Sequence, residues 1–457
     1  IDFQSSFKNI DMTILTQFTP KWEHLLFGHF TGNFNMGGTT QETRFDLDGK
    51  IEDAFFEKIP LGTVTGIGHY SNKILEFSQF SSTWDRNHIT GSASLPIDYD
   101  ITSPNVRDWN PGGELNVTAK GDFHSAVFLS EYLAETDSII GDINMILDIK
   151  GPPEKLVRNG AITIENGSIY TILMDEPVRR ISTHGRLVDN QLSIQSFTGA
   201  LFDTQTKIDS TQNLTITGGL DFTKFFEPRY NLHAEGDDIF FRSLNGDIEG
   251  YGDLDVTVVG KDTLEINGTV SAKNGAIYIE FTGDEPVESA EAKGRITTNY
   301  NIRFPIEDTF SIRNSQIDAK ITGELAMSKQ FDGEWNYSGE IEFIEGEIYY
   351  YVGDVFKNLT GVMTLDGQGF NPFLELTAST KIGDAEIMLG VFGPFDNPEW
   401  RFDSNKGYTE SDILQLLTFN TRVAEEGFTS EGLGTQAQTI LGAYLERQLE
   451  RNFIRAT

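Results

Sequence analysis

The chain has 457 residues, no cysteine, 45 glycines and 34 phenylalanines, and its 69 acidic against 35 basic residues give a formal charge of −34. That field repels polyanions and argues against nucleic-acid binding, while the lack of cysteine excludes disulfide frameworks and thiolate metal sites. No run reaches the roughly 20 apolar residues of a spanning helix, and no signal sequence opens the chain, so it reads as a piece of a longer polypeptide with any anchor outside it.

In chain order, the first long region is strand-like. Apolar and polar residues alternate in Leu115-Asn116-Val117-Thr118-Ala119, Leu192-Ser193-Ile194-Gln195, Leu214-Thr215-Ile216-Thr217 and Leu254-Asp255-Val256-Thr257-Val258. A period of two places one face of each strand against an apolar layer. Asp48-Gly49, Asn159-Gly160, Asn166-Gly167, Asn267-Gly268, Asn274-Gly275 and Asp366-Gly367 accept positive φ and are expected to be hairpin turns. Helical spacing interrupts this pattern at Val127 to Ala134 and at Phe222 to Phe226.

A repeated unit stands out. Asn159-Gly160-Ala161-Ile162-Thr163-Ile164-Glu165-Asn166-Gly167-Ser168-Ile169-Tyr170 aligns without a gap to the segments beginning at Asn267 and Ser338, each keeping two glycines and then an Ile-Tyr pair. The spacing of the copies is irregular, which fits no fixed-length solenoid. Within each unit Ile162 and Ile164, Val270, and Ile341 and Phe343 share one parity, as do Ile169, Ile277 and Ile279, and Ile348 and Tyr350 across the turn; together they are the candidate lining of a continuous apolar strip. Alternation leaves open whether the strip closes on a second sheet or stays partly open.

The end of the chain turns helical. Thr409-Glu410-Ser411-Asp412 resembles a capping box ahead of Ile413, Leu414, Leu416 and Leu417. A second amphipathic stretch from about Gln436 carries Ile440, Leu441, Tyr444, Leu445 and Leu449 on one stripe. The expected organisation is a repetitive β region over 1–406 and a helical segment over 407–457.

Catalytic patterns are missing. The seven histidines lie apart, and no nucleophile elbow, phosphate loop or dinucleotide fingerprint is present. Carboxylate pairs such as Asp237-Asp238 read as solvated turn residues. Asp46-Leu47-Asp48-Gly49 lacks the remaining ligands of a calcium loop and reads as a turn. Neither enzyme activity nor a metal or other cofactor is expected.

From about 290 to 425 an ordered set of motifs carries a resemblance: Gly294-Arg295, Asn299-Tyr300-Asn301-Ile302-Arg303-Phe304-Pro305-Ile306, Asn358-Leu359-Thr360-Gly361, Asn371-Pro372-Phe373-Leu374, Gly393-Pro394-Phe395-Asp396-Asn397-Pro398 and Ser411-Asp412-Ile413-Leu414. Their order resembles the C-terminal domain of the TamB family, within the AsmA-like bridge-like lipid transfer proteins. The resemblance implies an all-β fold: a long antiparallel sheet curled into a half-pipe, polar outside and apolar within, with short amphipathic helices at the C-terminal end. It also implies the periplasmic part of an inner-membrane-anchored envelope protein in a Gram-negative-type bacterium. Its cargo would be phospholipid acyl chains, and its partner a TamA-like outer-membrane barrel docked by the terminal helices. Lipid transport and assistance to outer-membrane protein assembly both fit. The alternative is a secreted β-solenoid adhesin or polysaccharide-active protein.

Overall fold

The structure is a computed structural model, and it describes residues 2–13, 26–40, 42–56, 59–99, 107–109, 112–127, 136–171, 174–203, 212–224, 227–243, 246–278, 297–350, 354–367, 369 and 371–419. These form 24 strands of one sheet and one ten-residue helix, so the chain is all-β, as its composition and alternation predict. The expected helices at Val127 to Ala134 and beyond Gln436 lie wholly or mostly outside the described residues, as does part of the one at Phe222 to Phe226. Contacts divide the chain into two units, one of residues 1–235, 257–264 and 292–297, the other of 236–256, 265–291 and 298–457.

The first unit is built on β1 (Asp2–Asp11), β2 (Leu26–Gly38), β3 (Thr43–Phe56), β4 (Ile59–Ser71), β5 (Ile74–Trp84), β6 (Asn87–Tyr99), β7 (Arg107–Trp109), β8 (Leu115–Ser125), β9 (Thr136–Gly151), β10 (Val157–Thr171), β11 (Val178–Val188), β12 (Gln191–Ala200) and β13 (Leu214–Asp221). Successive strands pair antiparallel, except that β8 returns to β6 and the short β7 flanks the end of β6.

Asn-Gly and Asp-Gly pairs mostly do not make the hairpin turns expected of them. Asp48-Gly49 sits inside β3 opposite Asn33 and Gly32, and Asn159-Gly160 inside β10 opposite Asp148 and Leu147. Asn166, at φ 53°, lies in a bulge of β10 where the register slips between Glu165 and Ser168. Only Asp366-Gly367 ends its strand as a turn would. At Asn166 the reason is physical: a bulge needs the same positive φ as a two-residue turn, and a strand of 15 residues needs bulges to bend. Asp48-Gly49 and Asn159-Gly160 instead stay in regular extended register with their neighbours. Asn72-Lys73 (φ 52° and 63°) and Asp189-Asn190 (φ 49° and 71°) make the tight hairpins instead.

The bulge also keeps each repeat on one face. Ile162, Ile164, Gly167 and Ile169 all turn toward the less exposed side of β10, because the extra residue at 165–166 resets the parity. Without it, one half of the strand would present its apolar residues to water.

The second unit contains the ends of β14 (Arg229–Arg242), β15 (Ile248–Gly260) and β16 (Thr263–Val270), followed by β17 (Asn274–Ile277), β18 (Thr297–Arg313), β19 (Ile317–Lys329), β20 (Asn336–Tyr350), β21 (Asp354–Asp366), β22 (Phe373–Ile382), β23 (Ala385–Pro394) and β24 (Glu399–Ser404). β18 to β24 form an antiparallel meander. The sheet is mixed rather than purely antiparallel, since β17 runs antiparallel to β15 but parallel to β18. Helix α1 (Glu410–Phe419) closes the described chain. Its start is the expected capping box: Thr409 N donates to Asp412 Oδ2 at 3.0 Å, and Asp412 N donates to Thr409 Oγ1 at 3.3 Å. Among the described residues no helix is long and apolar enough to cross a membrane.

Candidate functional site

Register carries single apolar residues into rows that cross the strands. In the first unit one row runs Phe34, Leu47, Gly68, Phe77, Ala93 and Val117 from β2 to β8, each residue directly opposite the next. Another runs Gly121, Met145, Ile162, Gly185, Ile194 and Gly218 from β8 to β13. At the β1 end an aromatic row meets the first of these at Phe34, with Phe3–Phe34, Phe34–Phe45 and Phe45–Tyr70 centroids 6.4, 5.3 and 4.6 Å apart.

Large side chains in these rows are half-buried rather than sealed: Phe34, Leu47, Phe77, Met145, Ile162 and Ile194 all retain solvent contact. What burial they have comes partly from the sheet itself, because bulky residues cover neighbouring glycines. A Cβ on Gly68 would lie 2.9 Å from Phe77 Cε1, and one on Gly185 would lie 2.9 Å from Ile162 Cγ2. The abundance of Gly and Phe thus has a use, since a ring laid over a glycine shields apolar area without a second layer. A neighbouring strip, with Phe123, Ile143, Ile164 and Ile181, is fully buried.

The opposite face is mostly polar, with Ile67 and Ile146 exposed on it. The Asp46 carboxylate accepts from His69 Nδ1 at 2.7 Å, Lys73 pairs with Asp98 at 2.7 Å, and Thr118 donates to Asp148 at 2.8 Å. Exposed pairs of this kind add little stability and chiefly keep the face hydrated.

The second unit is built on the same pattern but is sealed. Phe310, Ile321, Phe343, Gly361, Leu376 and Val391 follow one another across β18 to β23. Ile306, Gly323, Ile341, Met363 and Leu374 form the parallel row. Here the side chains belong to one packed core with Ile348, Phe356, Leu359, Ile387 and Leu389. Ile413 and Leu417 of α1 enter the same core, Ile413 at 0% exposure, while Leu414 is half-buried. Burial pushes the phenol of Tyr337, packed against this core, above its ordinary value.

The sequence-derived strip therefore divides by environment. Ile164 is buried and Ile162 and Ile169 half-buried in the first unit; Ile341, Phe343 and Ile348 lie inside the core of the second, with Ile277 packed on it. Val270 is half-buried. Ile279, the side chain of Tyr350, and Ile440, Leu441, Tyr444, Leu445 and Leu449 lie outside the described residues. Sequence reasoning missed two features. One is the glycine-covering geometry, whose only signal was the paired excess of Gly and Phe. The other is a cleft of about 380 Å³ beside the β5–β6 turn, lined in part by Trp84, Arg86 and His124, for which the sequence carries no repeat or motif. Among the described residues no cluster of three or more His, Asp or Glu is arranged to hold a metal ion.

A family model for the TamB C-terminal domain matches residues 203–456, which includes the second unit's meander and α1 and extends well upstream of the motifs that carry the resemblance. No curated protein matches the chain. Ordered motifs, a repeat of glycine-marked long strands, a long sheet with apolar cross-strand rows and a match over more than half the residues converge: the chain belongs to the TamB family.

Proposed function

We propose that the chain is a lipid-carrying part of a translocation and assembly module, working in the periplasm of a Gram-negative-type envelope. Family membership supports the envelope setting, and one observation carries the lipid reading: cross-strand apolar rows in the first unit that remain half-buried, backed by a polar face. An acyl chain laid along such a row removes more apolar area from water, at about 0.8 kcal/mol per buried CH2. Rows that continue from strand to strand keep that gain similar at each step, so the chain slides without a large barrier.

The reading is tested by stripping the protein of lipid, exposing it to vesicles of phosphatidylethanolamine and phosphatidylglycerol, and counting bound lipid by native mass spectrometry. Leu47→Glu combined with Ile162→Glu puts two charges on half-buried positions and lowers bound lipid. Equal loading of the folded variant, or no loading of the parent, overturns the reading.

A second role rests on β24, which among the described pairings is hydrogen-bonded to β23 alone and carries Trp400 at 45% exposure. An unpaired strand edge can add a strand from another β-protein. We propose a TamA-like outer-membrane barrel as the partner of this edge. Photo-crosslinkers at Glu399 and Arg401 capture that barrel in the envelope if the reading holds, and a silent crosslink map sinks it. For Ile413 and Leu417 to meet a partner, α1 must first leave the core of the second unit; in place, α1 caps the sealed strip.

A further inference from the structure

The strip of the second unit does not stay sealed to the ends of its strands. Beyond the buried row through Ile306, Gly323 and Ile341, the next rows across β18, β19 and β20 are Phe304, Leu325 and Gly339, then Ile302, Met327 and Tyr337, then Tyr300 opposite Lys329. Phe304, Leu325, Met327 and Tyr337 are half-buried, as are Tyr300 and Lys329 beyond them. Counted along β19, the stretch from Leu325 to Lys329 is about 14 Å long at ~3.4 Å per residue, close to half of a bilayer's hydrocarbon core of about 30 Å.

An unusual group ends this face. Every second residue of β19 from Ile317 to Met327 is apolar or glycine, and two positions after Met327 the same side of the strand carries the ammonium of Lys329. Its Nζ lies over the Trp335 ring, 5.6 Å from the centroid, and it makes no ion pair with a carboxylate among the described residues. The Trp335 ring is in turn 5.4 Å from that of Tyr300 and 6.4 Å from that of Tyr337, which packs against the core. The turn leading to Trp335 is held in place: Phe331 N donates to Asn299 Oδ1 at 2.8 Å and Gly333 N to the Gln330 carbonyl at 3.0 Å. Asp332 and Glu334 of this turn are exposed.

The order along the face is thus aliphatic, then phenol and indole, then ammonium, the order of side chains that suits a boundary between hydrocarbon and water. A phospholipid has the complementary order of acyl chain, glycerol and phosphate. In a chain of formal charge −34, a cation kept apart from carboxylates at the end of an apolar face is matched by an anion with an apolar body. The exposed carboxylates of Asp332 and Glu334 just outside it favour a headgroup that carries an ammonium beyond its phosphate.

We propose that the Tyr300, Lys329, Trp335 and Tyr337 rim is a headgroup site for a zwitterionic phospholipid, with Lys329 donating to the phosphodiester, the rings at the level of the glycerol, and an acyl chain along the half-buried rows toward Phe304 and Leu325. A lysine suits the phosphate because charge-assisted hydrogen bonds to it are short and strong. The site rests on the lipid-carrying reading and adds to it a position in the second unit and a choice of headgroup.

The experiment exposes the full chain, stripped of lipid, to phosphatidylethanolamine, phosphatidylglycerol or diacylglycerol bearing the same photoreactive acyl chain, and maps the labelled peptides by mass spectrometry in the parent, K329Q and K329R. K329Q keeps most of the stem and the parent's unfolding midpoint. Labelling between residues 325 and 337 decreases from phosphatidylethanolamine to phosphatidylglycerol to diacylglycerol in the parent. In K329Q it falls about tenfold for the two phospholipids, the scale of a lost charge-assisted contact, and K329R restores it. Peptides around Ile162 in the first unit are labelled alike in all three proteins. Rim labelling that is absent in the parent, or equal in the parent and K329Q, overturns the site while labelling at Ile162 leaves the lipid reading standing. Diacylglycerol labelling the rim as strongly as phosphatidylethanolamine overturns the role of the phosphate, and phosphatidylglycerol doing so overturns the zwitterionic choice. No labelling of either unit in the parent overturns the lipid reading and this site together.

Discussion

Gly68 on β4 stands directly opposite Phe77 on β5, and the phenyl ring occupies the space above the glycine, so that a Cβ at position 68 would come within 2.9 Å of Phe77 Cε1. The three nearest atoms all belong to that one side chain, which makes the pair separable by mutation. Gly68→Val is expected to destabilise the first unit by about 1–3 kcal/mol through overpacking. Phe77→Ala in the same chain recovers part of that loss. A double-mutant cycle followed by hydrogen exchange in β3 to β6 measures the coupling, and strict additivity contradicts the covering role.

The contrast between the two apolar faces gives a second expectation. Ile341 lies within a packed core and Ile162 is only half-buried. Ile341→Ala therefore costs about 2–5 kcal/mol, whereas Ile162→Ala costs well under half as much, since less contact is lost and less cavity remains. Urea unfolding of each variant supplies the comparison, and equal losses would mean that the first unit's face is as closed as the second's.

Thr409 and Asp412 hold the first turn of α1 by reciprocal hydrogen bonds. Thr409→Ala removes the cap and weakens the helix by about 0.5–2 kcal/mol. Faster amide exchange in α1, with little change in β19 and β20, is the expected result. Because Ile413 and Leu417 sit in the core, loosening α1 also makes Phe402 and the inner side of β24 more reactive to surface-labelling reagents.

Two turns share an Asp-x-Thr arrangement that titrates. The Asp11 carboxylate accepts from the Thr13 backbone N at 2.9 Å and hydroxyl at 2.8 Å; Asp221 accepts from the Thr223 hydroxyl at 2.6 Å and backbone N at 2.8 Å. These bonds favour the ionised forms and hold both carboxyls below the ordinary 3.8, led by the backbone bond at Asp11 and the hydroxyl bond at Asp221. A depressed value means that the contribution is present above the unfolded-state value and fades as pH falls through the folded-state one. D11N/D221N should flatten the acid limb of the first unit's stability, measured by hydrogen exchange below about pH 4. An unchanged limb assigns the acid sensitivity elsewhere.

Much of this arrangement is legible in the chain. Alternation at Leu115 to Ala119 and Leu192 to Gln195 marks strands, the capping box at Thr409 marks a helix start, and the repeat places Ile162, Ile164 and Ile169 on one side. Where the reading misses, the local signal is degenerate. Asn166-Gly167 satisfies a bulge as well as a turn, because both need positive φ at the same residue type. Likewise, no feature of the segment around Trp84 shows that Asn87 ties it to Ser125, a contact across 38 positions.

The sequence by itself determined the all-β class, the two-faced strands and the family, because a side-chain period of two and glycine spacing are local properties that survive whatever the strands later pair with. Only the tertiary structure decided that Ile341 is sealed while Ile162 keeps solvent contact, although the two occupy matching positions in the repeat. Burial is a property of neighbours brought together by register, and the α1 residues that complete one core arrive from about 70 residues away, beyond the reach of any periodicity.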